Sequence, residues 1–573
     1  MKNRSIIDYS LYFTVFVFWA FIYSNHILFT EQLSLFLYVP EYWKQYALQP
    51  GGWSVYCGNF LAQFYISRWA GALIQTLLCA ALLILSKRIL MKMDIRGNLL
   101  LAHILPALLL LVLQCDYRFT TGNTLALICP FALTLLFMNM QRTMVRRLVF
   151  TLLIIPVYLF SGAVATCCLY AACMFFELLR AKDKWKYATL VWLFVMVALP
   201  HMWQAVYLMP DNGLFQAIDY QLDESVRFVS LALLAWIPLC VLSVRFISQQ
   251  RLTAMTSSKG TMVTIVALLL TCGFYLFPKT CNRAEEQMLR MYLAAVQNNW
   301  DRVLETGKRA KNPEQCTNCL INLALAMKGE LSQKMFNYPQ SDEYGLLPEH
   351  TGDFFYLCCG SLFFYHIGIP NEAIRWIFDS YILRSRGNMD YHTLTRLAKW
   401  NRENGYEQVA SKYFDILNHT LMYHSWSKRQ RETPLPQREE SVDYPVEFYV
   451  GSHEPLSDLR LHYENYPQNT MVLDYLLCCL LLKNDPSRFL NLYNTFYQSP
   501  KEMPKVYQEA LLLIVNMGGT VDIRNYPIDK ININKFFRFI DLVEKRNDKE
   551  LEKQFGDTWW YYSYQKMNPK TKN

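Results

Sequence analysis

Apolar residues fall in long, nearly uninterrupted runs over the first 280 positions and in spaced amphipathic stripes over the rest. Runs of this kind are what hydrocarbon demands, because about 20 apolar residues in a helix cross a core roughly 30 Å thick. They lie at about 7–29, 69–86, 98–114, 119–139, 148–161, 163–179, 188–208, 228–247 and 261–278, which predicts about nine spans. The first follows Met1-Lys2-Asn3-Arg4, exceeds the core of a signal peptide and has no small-residue cleavage pattern behind it, so it reads as an uncleaved span. The stretch 148–179 divides at Ser161-Gly162 into two short halves, and a re-entrant segment is the alternative to two crossings.

From about residue 281 the period becomes that of paired soluble helices. The segment Tyr356-Leu-Cys-Cys-Gly360 with Gly368-Ile-Pro-Asn-Glu372-Ala373 parallels Leu394-Thr-Arg-Leu-Ala398 with Gly405-Tyr-Glu-Gln-Val-Ala410. The unit recurs after 37 residues, Ala373 to Ala410, and resembles the tetratricopeptide repeat of about 34. Met471–Tyr497, with Asn484-Asp485-Pro486 as its turn, forms another pair. Periodicity lapses near 426–470, where Arg429 to Pro436 reads as loop and Val446–Val450 as a short strand. The expected fold is all-α: a transmembrane bundle over 1–280 and a repeat domain over 281–573 with an irregular insertion.

Charge gives the bundle a direction. Of the 573 residues only 18% are charged, and residues 1–280 hold 21 Lys+Arg against 11 Asp+Glu, net +10, while the remainder holds 35 against 36, net −1. With a cytoplasmic N-terminus, 16 of those 21 basic residues fall in inside loops and 5 outside, the bias that orients membrane proteins. Nine spans would then put the C-terminal domain outside the cytoplasm. A basic excess confined to membrane loops argues against nucleic-acid binding, which needs Lys and Arg on a soluble face. Abundant aromatics and only 22 Gly exclude disorder, and 16 Cys scattered through so long a chain exclude a small disulfide scaffold.

Candidate chemistry is sparse. No P-loop, GxGxxG, GxSxG or HExxH stretch is present, which removes the common nucleotide-binding, hydrolase and zinc-protease readings. Cys316 and Cys319 form a lone CxxC without the four ligands of structural zinc; core packing is its plain reading, a disulfide or redox pair the second, and no metal or cofactor is expected. The loops expected outside carry Glu31 and Glu41 in the first, Asp116 with Arg118 in the second, and Asp211, Asp219, Asp223 and Glu224 in the fourth. A membrane glycosyltransferase using a lipid-linked donor needs an external carboxylate as acid/base and a cation for phosphate. Asp116, Glu41 and Glu31 are the catalytic candidates under that reading and Arg118 the phosphate partner; the plain alternative is solvated loop charges and caps. The first loop also holds Gln49-Pro50-Gly51-Gly52, a sharp turn, followed by Trp53 and Tyr56 among aromatics suited to headgroup level.

The run Gln49-Pro-Gly-Gly52, Tyr56, Phe60-Leu-Ala-Gln63-Phe64-Tyr65 and Trp69-x-Gly71-Ala72, with Asn322-Leu-Ala-Leu-Ala326-Met-Lys328-Gly-Glu330 and Met335-Phe336-Asn-Tyr338-Pro-Gln340, resembles an uncharacterised family of bacterial, mainly Bacteroidota, polytopic membrane proteins. That resemblance implies an inner-membrane protein with its tail in the periplasm and carries no catalytic residues with it. The leading expectation is a repeat platform that engages a protein partner in envelope or glycan assembly. The alternative is a glycosyltransferase taking sugar from a polyprenyl-phosphate donor.

Overall fold

The computed structural model describes residues 2–95, 97–207, 224–246, 259–310, 314–350, 352–384, 389–434, 455–497, 502–518 and 522–568, and the regular elements among them are helices. Asp211, Asp219, Asp223 and the strand expected at Val446–Val450 lie outside the described residues. The chain divides into two compact units. One comprises Met1–Arg283, Asp390–His392 and Asp415–Lys428; the other comprises Ala284–Met389, Thr393–Phe414 and Arg429–Asn573.

In the first unit α1 (Lys2–Val17) runs through a π-helical turn, Phe18–Ile22, and the chain bends by 72° into α2 (Ser24–Gln32). Then come α3 (Pro40–Ala47), α4 (Gly52–Ala62), α5 (Arg68–Lys92), α6 (Ile104–Gln114), α7 (Thr121–Asn139), α8 (Thr143–Leu152), α9 (Ile154–Arg180), α10 (Val191–Tyr207), α11 (Glu224–Phe246) and α12 (Lys259–Thr280). Five helical runs are long and apolar enough to cross a membrane: Arg68–Lys92, Thr121–Asn139, Ile154–Arg180, Lys184–Val206 and Val226–Ser243. The bent pair ending at Gln32 makes a sixth if it is one span. The nine expected are not reached among the described residues, for three reasons. The apolar stretches described at 98–114 and 261–278, Leu99–Gln114 and Met262–Phe277 within the longer α12, are shorter than 18 residues, the first span is broken at its bend, and 148–161 is shared between α8 and α9.

The division expected at Ser161-Gly162 falls on a true break. Gly162 has φ 76° and ψ −178° inside α9, a conformation open essentially to glycine alone. Into that break packs the Pro-Gly-Gly turn: the Gly51 N–H donates to the Tyr158 carbonyl at 3.1 Å, and a Cβ on Gly51 would stand 3.7 Å from the Gly162 nitrogen. The helix that follows, α4, crosses α7 with no room for side chains, since a Cβ on Gly58 would lie 2.2 Å from the Gly122 nitrogen. Small residues permit this approach of two backbones. The bundle core lies along α7, α9 and α11, where Leu127, Phe131, Leu169, Leu233 and Ile237 are fully buried. Helix α5, which packs on α7, leaves Leu73, Leu77, Ile84 and Met91 exposed, as a helix facing hydrocarbon does.

In the second unit the helix Phe354–His366 packs on Pro370–Arg384, Pro455–Asn465 on Thr470–Leu482, and Thr470–Leu482 in turn on Pro486–Phe496. Gly360 takes the Trp376 ring directly on its backbone, and Ala373, Ala398 and Ala410 are fully buried. The C-terminal helix Trp559–Met567 is tied in by buried polar groups: the Trp559 N–H donates to Glu509 Oε2 at 2.7 Å, Trp559 Nε1 to the Leu481 carbonyl and Trp560 Nε1 to the Glu509 carbonyl. Burial, partly offset by Lys505, pushes the Glu509 carboxyl up to about 7.

Replacing Gly58 by Ala is expected to destabilise the first unit by about 1–3 kcal/mol, the usual cost of overpacking. Gly352→Ala, where an added Cβ meets nothing within 4 Å, is the control. Thermal unfolding of the purified full-length chain in detergent checks this, and equal midpoints for the two variants would contradict the α4–α7 crossing.

Candidate functional site

Between α2 and α3 the chain runs without regular structure from Ser34 to Tyr38, and Leu35 and Phe36 are buried within it. Buried backbone outside a helix must find hydrogen-bond partners. Here they come from far along the chain, within the same unit. The Tyr391 N–H donates to the Ser34 carbonyl at 3.0 Å, the Tyr38 N–H donates to the His419 carbonyl at 2.9 Å, and the Phe36 N–H donates to the Tyr391 hydroxyl at 3.2 Å. The Tyr42 hydroxyl closes on the Leu35 carbonyl.

Glu31 ends α2 beside this segment and is 1% exposed. Its Oε2 accepts from Gln32 Nε2 at 2.8 Å and from the Tyr423 hydroxyl at 3.1 Å, while Gln32 Nε2 also donates to that hydroxyl at 2.7 Å. The Tyr423 ring stacks on Tyr391 with centroids 4.4 Å apart. Burial first, and then the adjacent Glu31 carboxylate, hold the Tyr423 hydroxyl well above its ordinary value, so it remains a donor. Glu31 Oε1 is buried with no hydrogen-bond partner. Gln32, Tyr391 and Tyr423 carry no local sequence signal of this role; Gln32 and Tyr391 stand at the ends of ordinary helices and Tyr423 in the turn before one.

Asp116 is locked to its own turn: Oδ1 accepts from the Arg118 N–H at 2.9 Å and from Arg118 Nε at 3.0 Å, and Oδ2 from a terminal guanidinium nitrogen at 2.8 Å. Arg118 also lies 5.7 Å from the Tyr117 ring centroid, and Tyr117 touches Phe29 of α2 at 6.1 Å. Glu41 is 71% exposed on α3, with Lys44 at 3.9 Å its one ion-pair partner among the described residues. In the turn Gln49, Pro50, Gly51 and Gly52, Gly51 packs on the break in α9 as described above, and Tyr56 packs among Phe36, Tyr42 and Trp43 in an aromatic cluster. Thus the structure brings Glu31 and the Asp116–Arg118 turn to neighbouring surfaces of α2, and leaves Glu41 in solvent.

A second buried cluster joins α8 and α9. Glu177 is fully buried and receives both Arg146 and Arg147, the latter at 2.7 Å through a terminal nitrogen, and Arg147 also reaches Asp183 at 2.8 Å. The Arg146 guanidinium stands 4.7 Å over the Phe137 ring centroid. The signal for it was a lone acid inside an apolar run, which must be paired in that setting. Near the start of the bundle Asp8 pairs with Lys87 and, at 3.2 Å, with His103.

In the second unit Cys316 and Cys319 are both 3% exposed and carry no disulfide. The nearby motif residues act as a clamp: Asn322 Nδ2 donates to Gln340 Oε1 at 3.0 Å and to the Gly345 carbonyl at 2.9 Å, and Gln340 Nε2 returns a bond to Asn322 Oδ1 at 3.2 Å. Among the described residues no group of three or more His, Cys, Asp or Glu is placed to hold a metal ion.

The architecture is therefore that of an all-helical chain whose first unit carries helices of membrane-crossing length and buried charged side chains with internal partners, Glu31 through its Oε2 alone. Residues 2–566 match a family of unknown function, DUF6057, and the chain belongs to it. No curated protein and no solved structure matches the chain.

The Glu31–Tyr423 contact is expected to be coupled. Tyr423→Phe removes a donor from a buried carboxylate and should cost about 1–3 kcal/mol. In an Glu31→Leu background the same change should cost less, because the carboxylate it served is gone. Denaturant unfolding of the four proteins in detergent checks this; additive losses would mean the two side chains do not interact.

Proposed function

We propose that this chain is a multi-pass protein of a bacterial inner membrane, N-terminus in the cytoplasm, that works by presenting its C-terminal helical unit in the periplasm to a protein partner in envelope or glycan assembly. The observation that carries this reading is the fate of the three carboxylates. Glu31 is closed in by Gln32 and Tyr423, Asp116 is bound by Arg118, and Glu41 points to solvent. A transferase would need at least one of them open beside a phosphate-binding cation, since a general base must reach the proton it removes. The basic bias of the membrane loops supports the orientation. The tetratricopeptide-like reading of the tail draws support from its packed helix pairs and from the buried small residues Gly360, Ala373, Ala398 and Ala410 at the spacing of the repeat.

The competing reading is a glycosyltransferase using a polyprenyl-phosphate-linked donor. Mass spectrometry of lipid-linked and envelope glycans from a deletion strain separates the two. Complementation by Asp116→Asn with Glu41→Gln is expected to restore the wild-type glycan profile fully, because neither carboxylate acts in chemistry under the platform reading. A sugar that wild type restores and the double variant does not would overturn the platform reading in favour of the transferase.

A further inference from the structure

The end of α5 and the end of α7 border an open surface cavity of about 300 Å³ lined by the exposed Arg88, Met91, Lys92 and Asn139 and the buried Leu135. Its chemistry is two-faced. Arg88 and Lys92, one turn apart on α5, and the Asn139 amide supply donors, while Met91 and Leu135 supply an apolar wall. Basic neighbours at this end of the bundle are neutralised from within: Lys87 by Asp8, Arg146 and Arg147 by Glu177 and Asp183, and Arg180 by Asp94 at 3.8 Å. Neither Arg88 nor Lys92 has a carboxylate within 4 Å among the described residues, so the cavity presents two uncompensated positive charges.

The apolar side of the cavity does not stop at its rim. Met91 is 47% exposed and continues a stripe on α5 through Ile84 and Leu77, at intervals of seven residues and so on one helical face. Leu136 of α7 is also exposed beside the cavity-lining Leu135. A small soluble anion has no use for such a stripe, whereas an amphiphile does: a phosphate in the cavity and acyl chains along the exposed leucine, isoleucine and methionine side chains. Basic pockets between membrane helices recognise anionic headgroups in this manner, through guanidinium and ammonium donors to phosphate oxygens.

We propose that this cavity is a binding site for the phosphate headgroup of an anionic phospholipid, with Arg88 and Lys92 as charge partners, Asn139 as a neutral donor and the Leu77–Ile84–Met91 stripe as the acyl track. The proposal rests on the membrane reading given above and adds a ligand site to it.

Native mass spectrometry of the full-length chain released from detergent, after incubation with phosphatidylglycerol, phosphatidylcholine or glycerol 3-phosphate, tests it. Wild type is expected to retain phosphatidylglycerol over phosphatidylcholine and to ignore glycerol 3-phosphate. Arg88→Gln with Lys92→Gln is expected to weaken phosphatidylglycerol retention about tenfold or more, the scale of two lost basic contacts, and to leave phosphatidylcholine retention unchanged. Lys182→Gln with Lys184→Gln, outside the cavity, should bind as wild type; circular dichroism confirms that each variant is folded. Equal loss in both double variants would reduce the effect to bulk charge and overturn the site, as would unchanged retention in the cavity variant. Binding of glycerol 3-phosphate as strong as that of the lipid would replace the lipid by a soluble phosphate. Failure to retain any lipid would instead overturn the membrane reading on which the site rests.

Discussion

A buried stretch of extended backbone cannot supply its own hydrogen bonds, and the first unit is organised around meeting that need for Ser34 to Tyr38. Its groups are served by Tyr391, 355 residues from Phe36, and by the carbonyl of His419. Each unmade bond there would leave a buried polar group at a cost of about 1–3 kcal/mol, so the segment and its distant partners order together. Glu31 extends the same arrangement from backbone to side chain, with Tyr423 and Gln32 sharing one carboxylate oxygen. The short pieces 390–392 and 415–428 cluster with the first unit for this reason.

The rest of the bundle follows from close approach and paired charge. Gly58 and Gly122 let α4 lie against α7, and the conformation of Gly162 breaks α9 where the Gly51 turn enters. Glu177 is tolerated in an apolar helix only because two guanidinium groups meet it there. These are constraints of fit and neutralisation, and they leave the candidate carboxylates of the sequence either closed or solvated.

Much of the helical character was legible because it is local. Uninterrupted apolar runs mark α5, α7, α9, α10 and α11, and the Ser161-Gly162 position marked a break that is present. The number of spans was less legible, since an apolar run records composition while crossing requires an unbent length, and the bend after Ile22 or the short α6 leaves no trace in hydropathy. The pairing of Glu31 with Tyr423 was illegible, because its partners are separated by 392 positions and neither stands in a recurring motif. Glu177 lay between these cases: a buried acid announces that a partner exists but not that it is Arg146 and Arg147 together.

Hydrogen–deuterium exchange on the full-length chain in lipid nanodiscs tests the central claim most directly, read at the amides of Phe36, Tyr38 and Tyr391. The account predicts protection comparable to that of the α9 core at all three, lost together in Tyr391→Ala. Exchange at the rate of an open loop in the wild-type protein would contradict it.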